Sequence, residues 1–295
     1  MPTMVLDIGG TAIKSGLYQD GALSEIRETA TEAMKGGPQV VNRILEIIRD
    51  YRNICPFDKI GISTAGQVDP VRGCIIYANE NIPGYTGTML KDIMEQEFQV
   101  PTAVENDVNA AAIGEAVFGA GQNQKDFVCL TYGTGVGGAI FTNGKLYSGS
   151  SYSAGEFGCI VIHPEERNPA KDLFSGCYER YASTTALVNY AKKLDASLSN
   201  GRIIFRRQEE PYVKEIIDRW IMEIVYGLVT IVHMLNPSCA ILGGGVMEQP
   251  YVLQQIQEKL YQNIMPSFRH VQIKKAELGN RAGMLGAAVL GEAIF

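Results

Sequence analysis

Short apolar runs alternate along this chain with stripes of helical period. Val5-Leu6-Asp7-Ile8 reads as a strand, and Ala12-Ile13-Lys14 begins its return. From Pro38 to Tyr51, Val41, Ile44, Leu45 and Ile48 fall at helical steps. Ile60-Gly61-Ile62-Ser63 is a short buried strand entering the turn Thr64-Ala65-Gly66. Leu90 to Phe98 reads as helix, Thr102-Ala103-Val104 as strand, and Val108 to Phe118 as Ala-rich helix. In the second half, Ile216, Ile217, Trp220, Ile224, Leu228, Ile231 and Val232 mark a long helix from Tyr212 to Leu235, stopped by Asn236-Pro237, with Trp220 in its core face. Cys239-Ala240-Ile241-Leu242 is a buried strand feeding Gly243-Gly244-Gly245-Val246. A helix near Tyr251 to Tyr261 follows, and Ala282 to Phe295 reads as a small-residue helix suited to close packing. Strands regularly followed by helices predict an α/β fold with functional loops at strand ends.

One turn is written twice. Val5-Leu6-Asp7-Ile8-Gly9-Gly10-Thr11-Ala12-Ile13-Lys14, closed by Asp20-Gly21, is echoed by Cys129-Leu130-Thr131-Tyr132-Gly133-Thr134-Gly135-Val136-Gly137-Gly138-Ala139-Ile140, closed by Asn143-Gly144. Each is a strand, a Gly/Thr turn, a returning strand and a hairpin dipeptide. Glycines there let backbone N–H groups converge on an anion, and threonine adds a hydroxyl donor. Gly133-Thr134-Gly135-Val136-Gly137-Gly138 is not a dinucleotide fingerprint, because that motif must open a helix and Ala139 to Gly144 reads as a strand. Two phosphate-cradling hairpins, one per half, predict phosphoryl transfer from a nucleotide, with Gly9, Gly10 and Thr11 at the first and Gly133, Thr134, Gly135 and Gly137 at the second.

Composition narrows the class. With 295 residues, 46% hydrophobic and 20% charged, the chain is long enough for two domains, with a boundary near residue 115. A net charge of −6 without basic blocks argues against a nucleic-acid surface. The opening Met-Pro-Thr-Met-Val has no basic leader pattern, and no apolar run reaches membrane-spanning length. The six cysteines show no CxxC pairing, which fits reduced thiols in a cytoplasmic protein.

Two acidic positions carry candidate chemistry. Asp7, at the rim of the first hairpin, is placed either to hold Mg²⁺ through water beside the β- and γ-phosphates or to cap the turn. Lys14 either reaches phosphate or lies on the surface. Glu105-Asn106-Asp107 sits where a strand meets a helix. An alcohol is a poor nucleophile at neutral pH, so a carboxylate must act as general base, and Asp107 is the candidate. The same triplet also has the composition of a helix N-cap.

These residues resemble the ROK sugar kinases of the actin, Hsp70 and hexokinase superfamily. The matching stretches are Asp7 to Lys14, Asn81-Ile82-Pro83-Gly84-Tyr85, Glu105-Asn106-Asp107-Val108-Asn109-Ala110, Gly133 to Gly138, Ala154-Gly155-Glu156-Phe157-Gly158, Gly176-Cys177-Tyr178-Glu179 and Gly243-Gly244-Gly245-Val246. The resemblance implies two ribonuclease-H-like α/β domains with an interdomain cleft. Residues 1–115 plus the returning 282–295 form one domain, and 116–281 form the other. It implies ATP and Mg²⁺ as phosphate donor and ion, sugar contacts from Gly66, Asn81, Asn106, Asp107, Glu156 and Glu179, deprotonation of the 6-hydroxyl by Asp107, Gly244 and Gly245 near adenosine, and a homodimer. From the sequence alone, Glu156 and Glu179 could equally be solvated loop acids.

The chain departs from the family at one loop. The usual pattern follows Glu-x-Gly with a histidine and then a Cys-x-Cys-Gly cluster that holds a structural zinc. Here the histidine position is Cys159, and of the cluster only Cys177 remains. Two thiols do not make a four-coordinate site, so no zinc is expected, and nearby His163 reads as a loop histidine. The β-glucoside kinases of the family likewise lack the histidine and the zinc cysteines. The resemblance therefore implies 6-phosphorylation of a β-glucoside such as cellobiose, with glucokinase or another hexose kinase as the alternative. Family members that act as sugar-responsive repressors carry an N-terminal helix-turn-helix, whereas here the first hairpin starts at once. A pure sensor would also be expected to have lost the base or a phosphate turn, and both are present.

Overall fold

The computed structural model describes residues 1–291, and its chain divides into two compact units. The first unit opens with β1 (Thr3–Ile8), β2 (Ala12–Gln19) and β3 (Ala22–Ala30), then α1 (Gly37–Ile54) and β4 (Lys59–Thr64). A small hairpin of β5 (Gln67–Asp69) and β6 (Cys74–Tyr77) precedes α2 (Leu90–Phe98), β7 (Thr102–Asn106) and α3 (Asp107–Phe118). The sheet order is β3-β2-β1-β4-β7, with β1, β2 and β3 antiparallel and β1, β4 and β7 parallel. Central β1 is covered on both faces, so its residues are buried except Asp7, which is partly accessible at the strand's end. One face packs Leu6, Ile44, Ile48, Ile62 and Leu90 into a single core.

The second unit repeats this order. β8 (Phe127–Tyr132), β9 (Val136–Thr142) and the short β10 (Lys145–Leu146) form the hairpin side. The chain then runs through a loop into α4 (Glu179–Ala182), α5 (Thr184–Leu194), α6 (Gly201–Arg206) and the long α7 (Pro211–Leu235), followed by β11 (Cys239–Gly243), α8 (Pro250–Asn263) and β12 (Gln272–Lys275). The sheet order is β10-β9-β8-β11-β12, again an antiparallel hairpin beside parallel strands. α7 buries Ile217, Ile224, Leu228 and Val232. The indole N–H of Trp220 donates to the carbonyls of Ala182 and Ser183 at 3.0 and 3.2 Å, fixing α7 against the start of α5.

The last helix, α9 (Ala282–Ala288), belongs to the first unit, packed on α3, β1 and β4. Its small residues are required. A Cβ on Gly286 would lie 1.7 Å from the Ala110 carbonyl, and one on Gly61 would lie 2.0 Å from that of Ala287. The helix ends at Ala288, short of the expected Phe295, and residues 292–295 lie outside the described residues. The units divide at Asn123/Gln124 rather than near 115, Ser148–Ala154 groups with the first, and the second ends at Ala276. Glu115 accounts for much of this. Its buried carboxylate accepts the N–H groups of Ala120, Glu277 and Leu278 at 2.9, 3.2 and 2.9 Å, fastening the end of α3 and the returning chain together.

Candidate functional site

In the first unit the turn between β1 and β2 is fixed from behind and open in front. Gly9 N–H donates to the Ala12 carbonyl at 3.0 Å, Thr31 Oγ1 donates to the Gly9 carbonyl at 2.7 Å, and Thr31 N–H donates to the Thr11 carbonyl at 3.0 Å. Gly10 and Thr11 are exposed, and no atom lies within 4 Å of where a Gly10 Cβ would stand. Asp7 is bound by side chains and not by the N–H groups of the turn. Ser63 Oγ donates to Asp7 Oδ1 at 2.7 Å, and Lys14 Nζ lies 3.5 Å from Asp7 Oδ2 while donating to the Asn280 carbonyl at 3.3 Å. Lys14 is therefore tied to the turn's acid rather than free on the surface.

At the strand-to-helix junction Asn106 and Asp107 share the first turn of α3, with Asp107 Oδ1 accepting the Val108 N–H at 2.9 Å. Asn106 is the N-cap of α3, its Oδ1 accepting the N–H groups of Val108 and Asn109 at 3.0 and 3.1 Å. Its Nδ2 donates to the Gly66 carbonyl at 2.9 Å and to Asp107 Oδ1 at 3.0 Å. Gly66 has φ +99°, and a Cβ there would stand 2.9 Å from the Tyr77 carbonyl, so only glycine presents that carbonyl. Loss of solvation, reinforced by the negative charge of Asp7, pushes the Asp107 carboxyl up to about 6. Behind it the buried Glu105, also raised by burial, accepts from Asn106 N–H and Asn109 Nδ2 at 2.8 and 3.1 Å. Asn81 is exposed on a loop held by Gly37 N–H on the Pro83 carbonyl (2.8 Å) and by the buried Tyr85–Thr64 hydroxyl pair (3.0 Å). Among the described residues no hydrogen bond joins Asn81 to Asp107.

In the second unit, Glu179 meets the other Gly/Thr turn. A Cβ on Gly135 would stand 2.6 Å from Glu179 Oε2, and the Val136 N–H donates to the Glu179 carboxylate. Burial raises the Glu179 carboxyl, with the charges of Glu156 and Asp172 adding to it and Arg180 opposing. Gly138 leaves room for Phe157, whose ring a Cβ would approach to 2.3 Å, so the Glu156 loop lies on β9. Glu156 is exposed, and Gly137 is partly so. The exposed Cys159 thiol is pushed up to about 11, first by partial loss of solvation and then by Glu156 and Glu179, so it is a neutral thiol at physiological pH. Gly133, Thr134, Glu156, Cys159 and Glu179 thus converge on one end of this unit.

A cavity of about 730 Å³ opens beside that turn, bordered by Thr134, Val188, Asn189, Arg202, Phe205 and Gly245. The volume and the mix of apolar walls with a few polar groups suit a nucleoside. Gly244 (φ +107°) passes so close to Tyr132 that a Cβ would stand 2.2 Å from its carbonyl oxygen. Gly244 and Gly245 were expected here. Val188, Asn189, Arg202 and Phe205 were not, because they lie on helices whose spacing carries no binding motif.

Asp7 fits Mg²⁺, which favours oxygen ligands and retains waters. The Lys14 ammonium so near favours a water-mediated contact over a direct one. Cys159 and Cys177 belong to no group of convergent ligands among the described residues. All six cysteines are free thiols. His163 is not a bare loop histidine: its ring nitrogens lie 2.8 Å from Glu165 Oε1 and 2.8 Å from Glu223 Oε2. No helix among the described residues is long and apolar enough to cross a membrane.

Residues 3–293 match the family model described as the ROK family. The chain is 39% identical to an uncharacterised protein of Clostridium perfringens over 96% of its length and 95% of that protein's. It is 31% identical to a beta-glucoside kinase of Listeria innocua, covering 97% and 96% of the two chains. Among solved structures, a ROK family glucokinase from Streptomyces griseus, in complex with glucose and AMPPNP, superposes with a TM-score of 0.83 at 32% identity, covering 98% and 99%. The chain belongs to the ROK family. Its fold is the two-unit α/β architecture of the actin/hexokinase type, and its relatives support a carbohydrate kinase that uses ATP.

Proposed function

We propose that this protein transfers the γ-phosphoryl group of ATP to the 6-hydroxyl of a hexose unit, with a β-glucoside such as cellobiose as the preferred acceptor. The observation that carries the reading is Asp107: a partly accessible carboxylate, lifted to about 6 and aimed by Asn106. Near pH 7 it is ionised yet more basic than an ordinary aspartate, as a general base for an alcohol should be. Asp107 takes the 6-hydroxyl proton as the oxygen attacks phosphorus, and the bond to the β-phosphate oxygen breaks. The Gly9–Thr11 and Gly133–Gly135 turns bind phosphates. Lys14 and Asp7 stand at the first, and Asp7 would hold Mg²⁺, which when bound would supply charge neutralisation. Gly244, Gly245 and the neighbouring cavity take the adenosine. Asn81, Asn106, Glu156 and Glu179 hold sugar hydroxyls.

Preference for a glycoside rests on Cys159. An imidazole bonded to an anomeric hydroxyl favours a free reducing sugar, whereas a small neutral thiol leaves room for a substituent. The Listeria innocua relative's name agrees with that choice. Glucose itself is the second reading, favoured by the 32% identical glucokinase neighbour. A coupled ADP assay over glucose, fructose, mannose, N-acetylmannosamine, cellobiose and salicin decides between them. Highest kcat/KM on cellobiose or salicin is expected. Preference for free glucose overturns the glycoside reading, and sugar binding without ADP makes the protein a sensor. We further propose a cytoplasmic homodimer, to be checked by light scattering.

A further inference from the structure

The segment joining Glu156 to Glu179 is closed at its base by backbone hydrogen bonds. Ile162 and His163 N–H groups both donate to the Gly176 carbonyl at 3.0 and 3.1 Å, Val161 bridges Cys177, and Tyr178 N–H donates to the Ile160 carbonyl at 2.7 Å. Arg167 ties the excursion between them by donating to the Leu173 and Ser175 carbonyls at 2.5 and 2.9 Å. Both ends are anchored in the core: Phe157, Cys177 and Tyr178 are buried, Ile160 and Ile162 pack on the same cluster, and the Tyr178 hydroxyl donates to the Ile224 carbonyl of α7 at 2.8 Å. The excursion between them, residues 163–175, exposes Pro164, Glu165, Glu166 and Leu173 and has little apolar anchorage of its own.

His163 joins it to the framework. One ring nitrogen faces Glu165 Oε1 and the other faces Glu223 Oε2 on α7, both at 2.8 Å. The ring centroid lies 4.2 Å from that of Tyr181, whose hydroxyl donates to Glu166 at 2.6 Å. A neutral imidazole has one N–H, so it can donate to only one of two carboxylates, and the other nitrogen would face an oxygen lone pair. Only the imidazolium donates to both.

We propose that protonated His163 is a positioning residue: it clamps the 163–175 excursion to α7 and, through its ring contact with Tyr181 on the short helix that begins at Glu179, holds Glu179 against the Gly135 turn. The consequence for sugar binding rests on the function proposed above. The groups facing the ring are Glu165 and Glu166 from the short turn after it, Glu223 from α7 and Tyr181 from α4, with Arg180 and Arg219 bordering the adjoining cavity. Burial disfavours the charged ring, but the two carboxylates outweigh it and raise His163 above the ordinary histidine value. The sign follows from that: the clamp is complete well below pH 6.5 and is lost as pH rises through the raised value.

The test has two arms on the full chain. Hydrogen–deuterium exchange of residues 163–175 without substrate, corrected for intrinsic pH dependence, should show protection near pH 6.5 that falls by pH 9. That protection should be low throughout in His163→Gln and Glu223→Gln, and kept at pH 9 in His163→Lys, whose cation persists. In steady-state assays the sugar KM of the parent should rise about tenfold over that range, with kcat within about threefold, and His163→Lys should hold KM down at pH 9. Protection indifferent to pH and to both neutral variants overturns the clamp. Protection that responds while KM does not overturns the positioning of Glu179. Absence of sugar turnover in the parent is a separate result, which refutes the kinase reading and leaves the exchange arm to judge the clamp.

Discussion

Asn106 caps α3 with its carbonyl oxygen and, with its amide nitrogen, donates to Asp107 Oδ1 at 3.0 Å. Asp107 Oδ1 also accepts the Val108 N–H at 2.9 Å, so both hydrogen bonds fall on one carboxylate oxygen and Oδ2 is left for proton transfer.

The first expectation concerns turnover. Asp107→Asn keeps a hydrogen-bonding side chain of the same shape but removes the base, so kcat should fall at least about a hundredfold while sugar affinity is largely kept. Steady-state kinetics with direct sugar binding measure both. A loss of kcat under about tenfold would mean that Asp107 is not the base. In the parent, kcat at saturating sugar should rise with pH through about 6 and level off above, following ionisation of the raised carboxyl.

The same substitution should stabilise the fold. Because folded Asp107 holds its proton to about pH 6, against an ordinary 3.8, its contribution to stability falls as pH rises from about 4 to 6 and stays low above. Asp107→Asn escapes that cost and should be more stable than the parent at pH 8 by about 1–3 kcal/mol, with little gain at pH 4. Urea unfolding at the two pH values reads the difference, and equal gains at both would contradict the assignment.

At the first hairpin, Asp7→Asn removes the carboxylate that faces Lys14 and Ser63. The Mg²⁺ concentration for half-maximal rate should rise about tenfold or more, while sugar KM changes little. Titration of activity against Mg²⁺ at fixed ATP tests this, and an unchanged midpoint would remove Asp7 from the metal's surroundings.

Packing of the returning helix gives a prediction independent of function. Gly286→Ala puts a methyl where the Ala110 carbonyl leaves 1.7 Å, so α9 must move from α3. A loss of about 2 kcal/mol or more is expected from the overpacking, read as a lower thermal midpoint. A midpoint within a degree or two of the parent would contradict the close approach.

Elements with a strong period or a covered face were legible in the sequence: β1, α1, α2, α7 and β11 all bury apolar stripes or runs. Strand β3 and strand β12 are edge strands with many exposed polar residues, and they carry no alternation to detect. The strand-to-helix triplet Glu105-Asn106-Asp107 was placed correctly at its junction, since acid and amide side chains both mark helix starts. The apposition of Glu179 with Gly135 was not legible from spacing, because it depends on how an irregular loop folds back on β9. His163 does lie in a loop, as read, but its carboxylate partners were not legible for a related reason. Its partner Glu223 sits on a distant helix, and the intermediate segment has no period to follow.

The most direct test of the account is to identify the product made from cellobiose or salicin and ATP by phosphorus–proton correlation NMR. Phosphorus coupled to the C6 methylene protons of the glucosyl unit is the predicted result. Phosphorus on any other sugar carbon, or ADP release with no phosphorylated sugar, would contradict transfer to the 6-hydroxyl.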